Sequence, residues 1–211
     1  MHTISTKDRF KKSVVALFAL FTIVFLPGRT FAQYCTPAWY YGCQWGAAID
    51  DFTFNTISNL NTGCNNTSTS YTYFSTISTN VVAGQTYSFS IQSLYSYYPL
   101  QYGIWIDFNA DGDFYDSGEY AFNTASTSSG MVTGTITIPM TSTVGVTRIR
   151  VIGDAYGYIN STACCSTSLY EGEGEDYNLN ILAPAGDDIG ISSIVKPVSG
   201  CDFNGTDTVK V

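Results

Sequence analysis

Histidine is almost missing from this chain of 211 residues, and the only one is His2. Basic side chains are scarce as well, nine Lys and Arg against seventeen Asp and Glu. The apolar run Val14 to Leu26 covers 13 residues and ends at Pro27-Gly28, short of the ~20 that a bilayer core requires. With Lys7, Arg9, Lys11 and Lys12 before it and Thr30-Phe31-Ala32 after it, the segment reads as a signal peptide, residues 1–32, cleaved before Gln33, and not as a membrane span. Residues 33–211 then hold four basic and sixteen acidic side chains, a net charge of −12, and no imidazole. Ser-His-Asp and Cys-His catalysis and a histidine-ligated zinc site are thereby excluded. Nucleic acid is excluded as a partner too, because Arg148 and Arg150 are the only cations before Lys196 and phosphate binding needs clustered ones.

What is present points outward from the cell. All six cysteines, at 35, 43, 64, 164, 165 and 201, follow the cleavage point, and none forms a C-x-x-C pair. Disulfides are the expectation for an exported chain, which is predicted to be secreted or on the cell surface. Cys35, Cys43 and Cys64 suggest a staple near the start, and the neighbours Cys164 and Cys165 are expected to reach different partners. Six cysteines allow 15 pairings, so connectivity stays open.

Ser, Thr, Tyr, Asn and Gly dominate where helix formers are few, so strands are expected. Tyr87, Phe89 and Ile91 alternate with Ser88, Ser90 and Gln92, the period-2 pattern of a half-buried strand. Strands are predicted near Phe52 to Ile57, Tyr71 to Thr79, Thr86 to Leu94, Gly103 to Phe108, Glu119 to Asn123, Met131 to Ile138, Thr147 to Gly153 and Asp176 to Leu182. Their spacing suits an all-β, two-sheet antiparallel β-sandwich of jelly-roll type over residues 33–183, in preference to an open twisted sheet. At Ala183-Pro184-Ala185-Gly186 the pattern breaks. Residues 184–211 read as a linker and the start of a truncated immunoglobulin-like β domain, with a tail folding back on the sandwich as the alternative.

The chemistry lies in the acids. Asp107-Phe-Asn109-Ala-Asp111-Gly112-Asp113 has the D-x-N-x-D-G opening of a calcium loop, with alternating oxygen ligands and a glycine at the turn. Position twelve is Gly118 and not the EF-hand glutamate, and the flanks read as strands. The expectation is a calcium loop between two strands, with side-chain ligands Asp107, Asn109 and Asp111, either Asp116 or Glu119, and Asp113 through its carbonyl. Glu171, Glu173, Glu175 and Asp176 form a second stretch, read from spacing as an exposed acidic turn. Glycosidase chemistry by paired carboxylates is disfavoured because the acids follow metal-loop spacing. Arg148 and Arg150 are expected to neutralise Asp154 or this turn.

Tyr34-Cys35, Trp105-Ile106-Asp107-Phe108-Asn109 with Asp111-Gly112, Ile138-Pro139, Thr147-Arg148-Ile149-Arg150-Val151 and Gly172-Glu173-Gly174-Glu175-Asp176-Tyr177 together resemble the GEVED domain of secreted Bacteroidetes proteins, over about residues 34–182. Gly174 stands where the family name has valine. The resemblance implies a non-catalytic extracellular module of a larger protein. Its acids suggest that Glu173, Glu175 or Asp176 closes the same calcium site as Asp107 to Asp113. Asp188-Ile-Gly-Ile-Ser-Ser-Ile and Pro197-Val-Ser-Gly-Cys201 resemble the opening of a CARDB-type adhesion repeat, which would pair Cys201 elsewhere. Two functions follow as alternatives: a calcium-stabilised spacer or adhesion module, or a carbohydrate-binding module presenting Tyr95, Tyr97, Tyr98, Tyr156 and Tyr158. The expected partner is an extracellular polysaccharide or a host or cell-surface protein. A part in a secreted hydrolase ranks below both.

Overall fold

The computed structural model describes residues 33–65, 69–95, 99–125, 130–156 and 159–185. The chain divides into two units between Ala32 and Gln33, and all the described residues belong to the second. The signal peptide, the CARDB-like segment from residue 186 onward, and Tyr97, Tyr98 and Tyr158 lie outside the described residues.

Among the described residues nine strands follow one another: β1 Ile49–Phe54, β2 Ile57–Asn59, β3 Tyr71–Val82, β4 Thr86–Ser93, β5 Gln101–Ile106, β6 Tyr120–Asn123, β7 Val132–Thr137, β8 Gly145–Asp154 and β9 Gly172–Leu182, with one 3-10 turn at Ala163–Cys165. They form a two-sheet β-sandwich, as the alternating pattern predicts. One sheet has the order β2-β1-β4-β7 and the other β3-β9-β8-β5-β6. The pairing is antiparallel except between β3 and β9, which run parallel and shift register between Phe74 and Ser78. The single strand expected over 52–57 is a hairpin. Phe54 pairs with Ile57, and Asn55 turns the chain at φ 51°, a conformation that asparagine tolerates better than most residues.

Between the sheets, Phe52, Phe54, Phe89 and Ile91 meet Ile104, Ile149, Val151, Tyr177 and Leu179 in one core. The Tyr177 ring is stacked on Phe52 at 5.2 Å and on Phe74 at 5.3 Å. The outer face of the five-stranded sheet is covered too. Trp39, Trp105, Phe114, Ile152, Ile159, Ala163, Cys164 and Leu169 make a second apolar cluster there. Strands β5, β8 and β9 are therefore buried on both faces along much of their length, which replaces simple alternation by near-continuous burial.

This outer layer closes around an ion pair. Arg150, fully buried, donates from Nε to Asp176 Oδ1 at 2.7 Å and from Nη2 to Asp176 Oδ2 at 2.8 Å. Its remaining donors reach the carbonyls of Cys164 at 2.6 Å and Cys35 at 2.7 Å. Burial opposes the charge on Arg150, but Asp176 and Tyr71 beside it together outweigh burial and hold the guanidinium above its ordinary value. Arg148 donates to the same carboxylate at 3.3 Å and lies between the Tyr34 and Tyr73 rings, 4.2 and 3.8 Å from their centroids. Both arginines thus neutralise Asp176. Asp154, the other expected partner, instead accepts the backbone N–H groups of Tyr156 and Tyr170.

Two disulfides secure the covering segments. Cys43 pairs with Cys64 inside the expected N-terminal staple, but Cys35 reaches Cys165 across 130 residues. Closing so long a loop restricts the unfolded chain by about 4–5 kcal/mol in the chain-entropy account. Cys164 is a buried free thiol, its neighbour being the bonded one.

Breaking the ion pair from one side leaves an uncompensated buried charge. Arg150→Met is expected to lower unfolding free energy in urea by about 3–5 kcal/mol, and the double change Arg150→Met with Asp176→Leu to restore most of that loss. A single variant with the wild-type urea midpoint would show that the pair carries no such role.

Candidate metal centre

The residues between Ile106 and Tyr120 link β5 to the edge strand β6, and the loop is closed at its base by Ile106 N–H donating to Glu119 O at 2.9 Å. Asp107 is buried at its start. Its Oδ1 accepts Ala110 N–H at 2.6 Å, and its Oδ2 accepts Gly112 N–H at 3.1 Å and the Tyr34 hydroxyl at 2.6 Å. To deliver those amides the backbone turns through φ 57° at Ala110 and 98° at Gly112, and the glycine makes the second turn free of side-chain strain.

From there a run of Asx turns climbs the loop. Asn109 Oδ1 accepts Asp111 N–H, Asp111 Oδ1 accepts Asp113 N–H, and Asp113 Oδ1 accepts Tyr115 N–H. Each side chain folds over the residue two places on. The result is that carboxylate oxygens of Asp111, Asp113 and Asp116 lie within 4.8 Å of one another, the only such group of three among the described residues. Oxygens around one calcium ion sit ~2.3 to 2.6 Å from it, so ligand oxygens within about 5 Å of each other can share an ion. Asn109 Nδ2 donates to Asp111 Oδ2 at 3.1 Å and Asp116 Oδ2 at 2.6 Å, setting its amide at the edge of the group. An all-oxygen, mostly anionic donor set suits a hard cation.

The six loop residues therefore divide into two roles. Asp111, Asp113 and Asp116 form the group able to hold a metal ion, with Asn109 beside them. Asp113 takes part through its carboxylate, where its carbonyl was expected. Asp107 and Glu119 brace the loop from beneath. Glu119 is buried, with Oε1 accepting Phe108 N–H at 3.0 Å and Oε2 accepting Asp116 N–H at 3.3 Å. Burial chiefly, with the Asp107 and Asp116 charges adding, pushes Glu119 up to about 7 against the pull of these amides.

The second acidic stretch is not an exposed turn. Strand β9 begins at Gly172, and Glu173, Glu175 and Asp176 are all fully buried. The early start depends on two glycines, because a Cβ on Gly172 would fall 1.9 Å from the Gly153 oxygen and one on Gly174 would fall 2.8 Å from the Trp39 ring. Alternation along the strand separates the acids. Glu173 and Glu175 share the inward face with Tyr177, and Asp176 points outward to Arg150. Glu173 accepts the N–H groups of Ile49 at 3.2 Å and Asn65 at 3.0 Å. Glu175 accepts the hydroxyls of Thr62 at 3.2 Å and Tyr177 at 2.6 Å. Together they clip the segment after β2 against β1 and β9. These two acids and the Asp107 loop do not meet. Asp176 connects to that loop at a remove, through Arg148 stacked on Tyr34 and the Tyr34 hydroxyl on Asp107, and through Arg150 against the Phe114 ring.

Burial pushes Glu173 up to about 7 and Glu175 up to about 8, the Asp50 charge adding in both and hydrogen bonds opposing. Tyr34 and Asn65 complete these arrangements and stand out from sequence only as a tyrosine before a cysteine and an asparagine after one. The stability that the neutral acids confer is fully present below their ordinary value of 4.5, declines as pH rises and is gone above about 8. The thermal midpoint is therefore expected to fall between about pH 5 and pH 8, with Glu119 contributing in the same direction, and Glu175→Gln to flatten the fall. A midpoint rising across that window, or a Glu175→Gln profile parallel to wild type, would contradict this assignment.

No curated protein matches the chain. Residues 101–180, which run from β5 into β9 and contain both the metal-loop acids and the buried acids of β9, match the family model of the GEVED domain.

Proposed function

We propose that the chain is a non-catalytic extracellular accessory module, with a role in adhesion, whose β5–β6 loop binds calcium and is stabilised by it. The observation that carries this reading is the group Asp111, Asp113 and Asp116, raised on successive Asx turns until three carboxylates converge within 4.8 Å. Three like charges so close repel one another unless a cation neutralises them. Extracellular calcium modules work with dissociation constants of ~10⁻⁴ to 10⁻³ M, which suits a partly exposed site with few ligands. Two disulfides support an oxidising location, and no helix among the described residues is long and apolar enough to cross a membrane.

A catalytic reading finds little support in the same geometry. Glu173 and Glu175 have the raised, paired character of a glycosidase acid and its partner, but both are fully buried between the sheets and bonded to backbone and hydroxyl groups. A sugar has no access to them.

Thermal unfolding of the full chain in excess calcium and in chelator tests the proposal. Calcium at 100 times its dissociation constant is expected to stabilise the fold by about 2.7 kcal/mol, and Asp113→Asn with Asp116→Asn to remove most of that gain. An equal shift with magnesium would reassign the loop to divalent cations in general. Equal midpoints in calcium and chelator would reduce it to a self-bonded acidic turn.

A further inference from the structure

Away from the metal loop, aromatic rings form an unbroken exposed strip. Trp45, Tyr41, Tyr170 and Tyr156 follow one another with centroids 5.6, 4.9 and 5.1 Å apart, and Tyr40 branches from Tyr41 at 4.7 Å. Tyr40, Trp45 and Tyr156 leave 78, 61 and 65% of their surface exposed. A single exposed aromatic residue is ordinary, but a contiguous exposed patch of this kind marks a site of interaction.

The strip is firmly supported from below. Tyr40 N–H donates to Leu169 O at 2.8 Å and Tyr41 N–H to Tyr170 O at 3.0 Å, joining its two main segments. The carboxylate of Asp154, fully buried, accepts the N–H groups of Tyr156 and Tyr170, each at 3.0 Å, and so fixes the third segment to the second. The Cys43–Cys64 disulfide anchors the residues just before Trp45. Gly46, immediately after it, lies so close under the Tyr95 ring that a Cβ there would fall 2.2 Å from Tyr95 Cδ2. Rings held in this way lose little freedom when a ligand binds.

We propose that this strip is a binding site for a neutral polysaccharide chain. Pyranose rings offer apolar C–H faces and hydroxyl rims, which aromatic faces and tyrosine hydroxyls complement. Charge favours a neutral ligand. The strip contains no lysine or arginine, and residues 33–211 carry a net charge of −12, which repels anionic glycans, nucleic acids and anionic lipids. Composition argues against a protein partner, since protein interface cores add Met and Arg to their aromatics and the strip has neither. The exposed aliphatic residues Met140, Val144 and Val146 gather instead near the opposite end of β8. Successive ring planes are inclined by 41, 70 and 73°, a stepped row that suits a single flexible chain better than a flat crystalline surface. The site goes beyond the accessory-module reading and is independent of the metal loop.

Affinity electrophoresis tests it, with the full chain in excess calcium run through native gels cast with mixed-linkage β-glucan, galactomannan or xyloglucan, and polygalacturonate as the anionic comparison. At least one neutral glycan is expected to retard the wild type, and polygalacturonate is not. Trp45→Ala and Tyr170→Ala are each expected to weaken retardation by about tenfold or more, Trp45→Phe to restore much of it, and Val146→Ala to leave it unchanged. Wild-type thermal midpoints for these variants establish that they fold. The proposal fails if no neutral glycan retards the wild type, if the folded alanine variants bind as the wild type does, or if binding is confined to polygalacturonate.

Discussion

The buried pair of Arg150 and Asp176 is the constraint around which the outer half of the molecule is arranged. A guanidinium and a carboxylate taken out of water are costly, and their attraction offsets that cost only when every remaining donor and acceptor is satisfied. Here the surplus donors on Arg150 are met by two backbone carbonyls, those of Cys35 and Cys164, and Asp176 also accepts the Tyr71 hydroxyl. The segments that bring those groups must therefore lie across the sheet. Once they do, Trp39 comes to rest over Gly172 and Gly174, Phe114 comes within 4.7 Å of the guanidinium, and Tyr34 reaches Asp107. Packing, disulfide placement and loop bracing all follow from one pair of charges.

The same strand manages acids in two opposite ways. On the outward side of β9, Asp176 has cations beside it. On the inward side, Glu173 and Glu175 have no cation among their contacts with the described residues, and burial favours their protonated forms. A strand beginning with such residues is an unusual way to finish a sandwich core. It serves here because the acids' oxygens collect the backbone of Ile49 and Asn65 and the hydroxyl of Thr62, polar groups near the sandwich end for which a hydrocarbon side chain would offer no partner.

Much of this was legible in the sequence where a pattern is local. Alternation in Thr86–Ser93 and the oxygen spacing from Asp107 to Asp113 each depend on neighbours only a few residues apart, and the strand and the loop turns formed as expected. What was not legible depends on distant groups. The start of β9 was misplaced because Glu173, Glu175 and Asp176 look solvent-exposed until Asn65, Thr62 and Arg150 are known to face them. The parallel pairing of β3 with β9 and the Cys35–Cys165 bond join residues about a hundred or more positions apart, which no period can reveal. The exposed aromatic strip escaped for the same reason, since Tyr41 and Tyr170 become neighbours only when the segment before β1 lies along the segment before β9. The tyrosines singled out from the sequence included only Tyr156 of that strip.

The long disulfide also decides how the module would carry a mechanical load. Tension applied between Tyr34 and Ala183 passes through the bond from Cys35 to Cys165 and then along residues 166–171 and β9, bypassing everything from residue 36 to residue 164. Strand β9 is already extended at about 3.3 Å per residue, close to the limit of about 3.6 Å for a taut chain. It has almost no slack to release. Eight strands and most of both hydrophobic clusters hang beside that line of force with only β9 in it, so pulling on the two ends would transmit strain through the module without drawing its core apart.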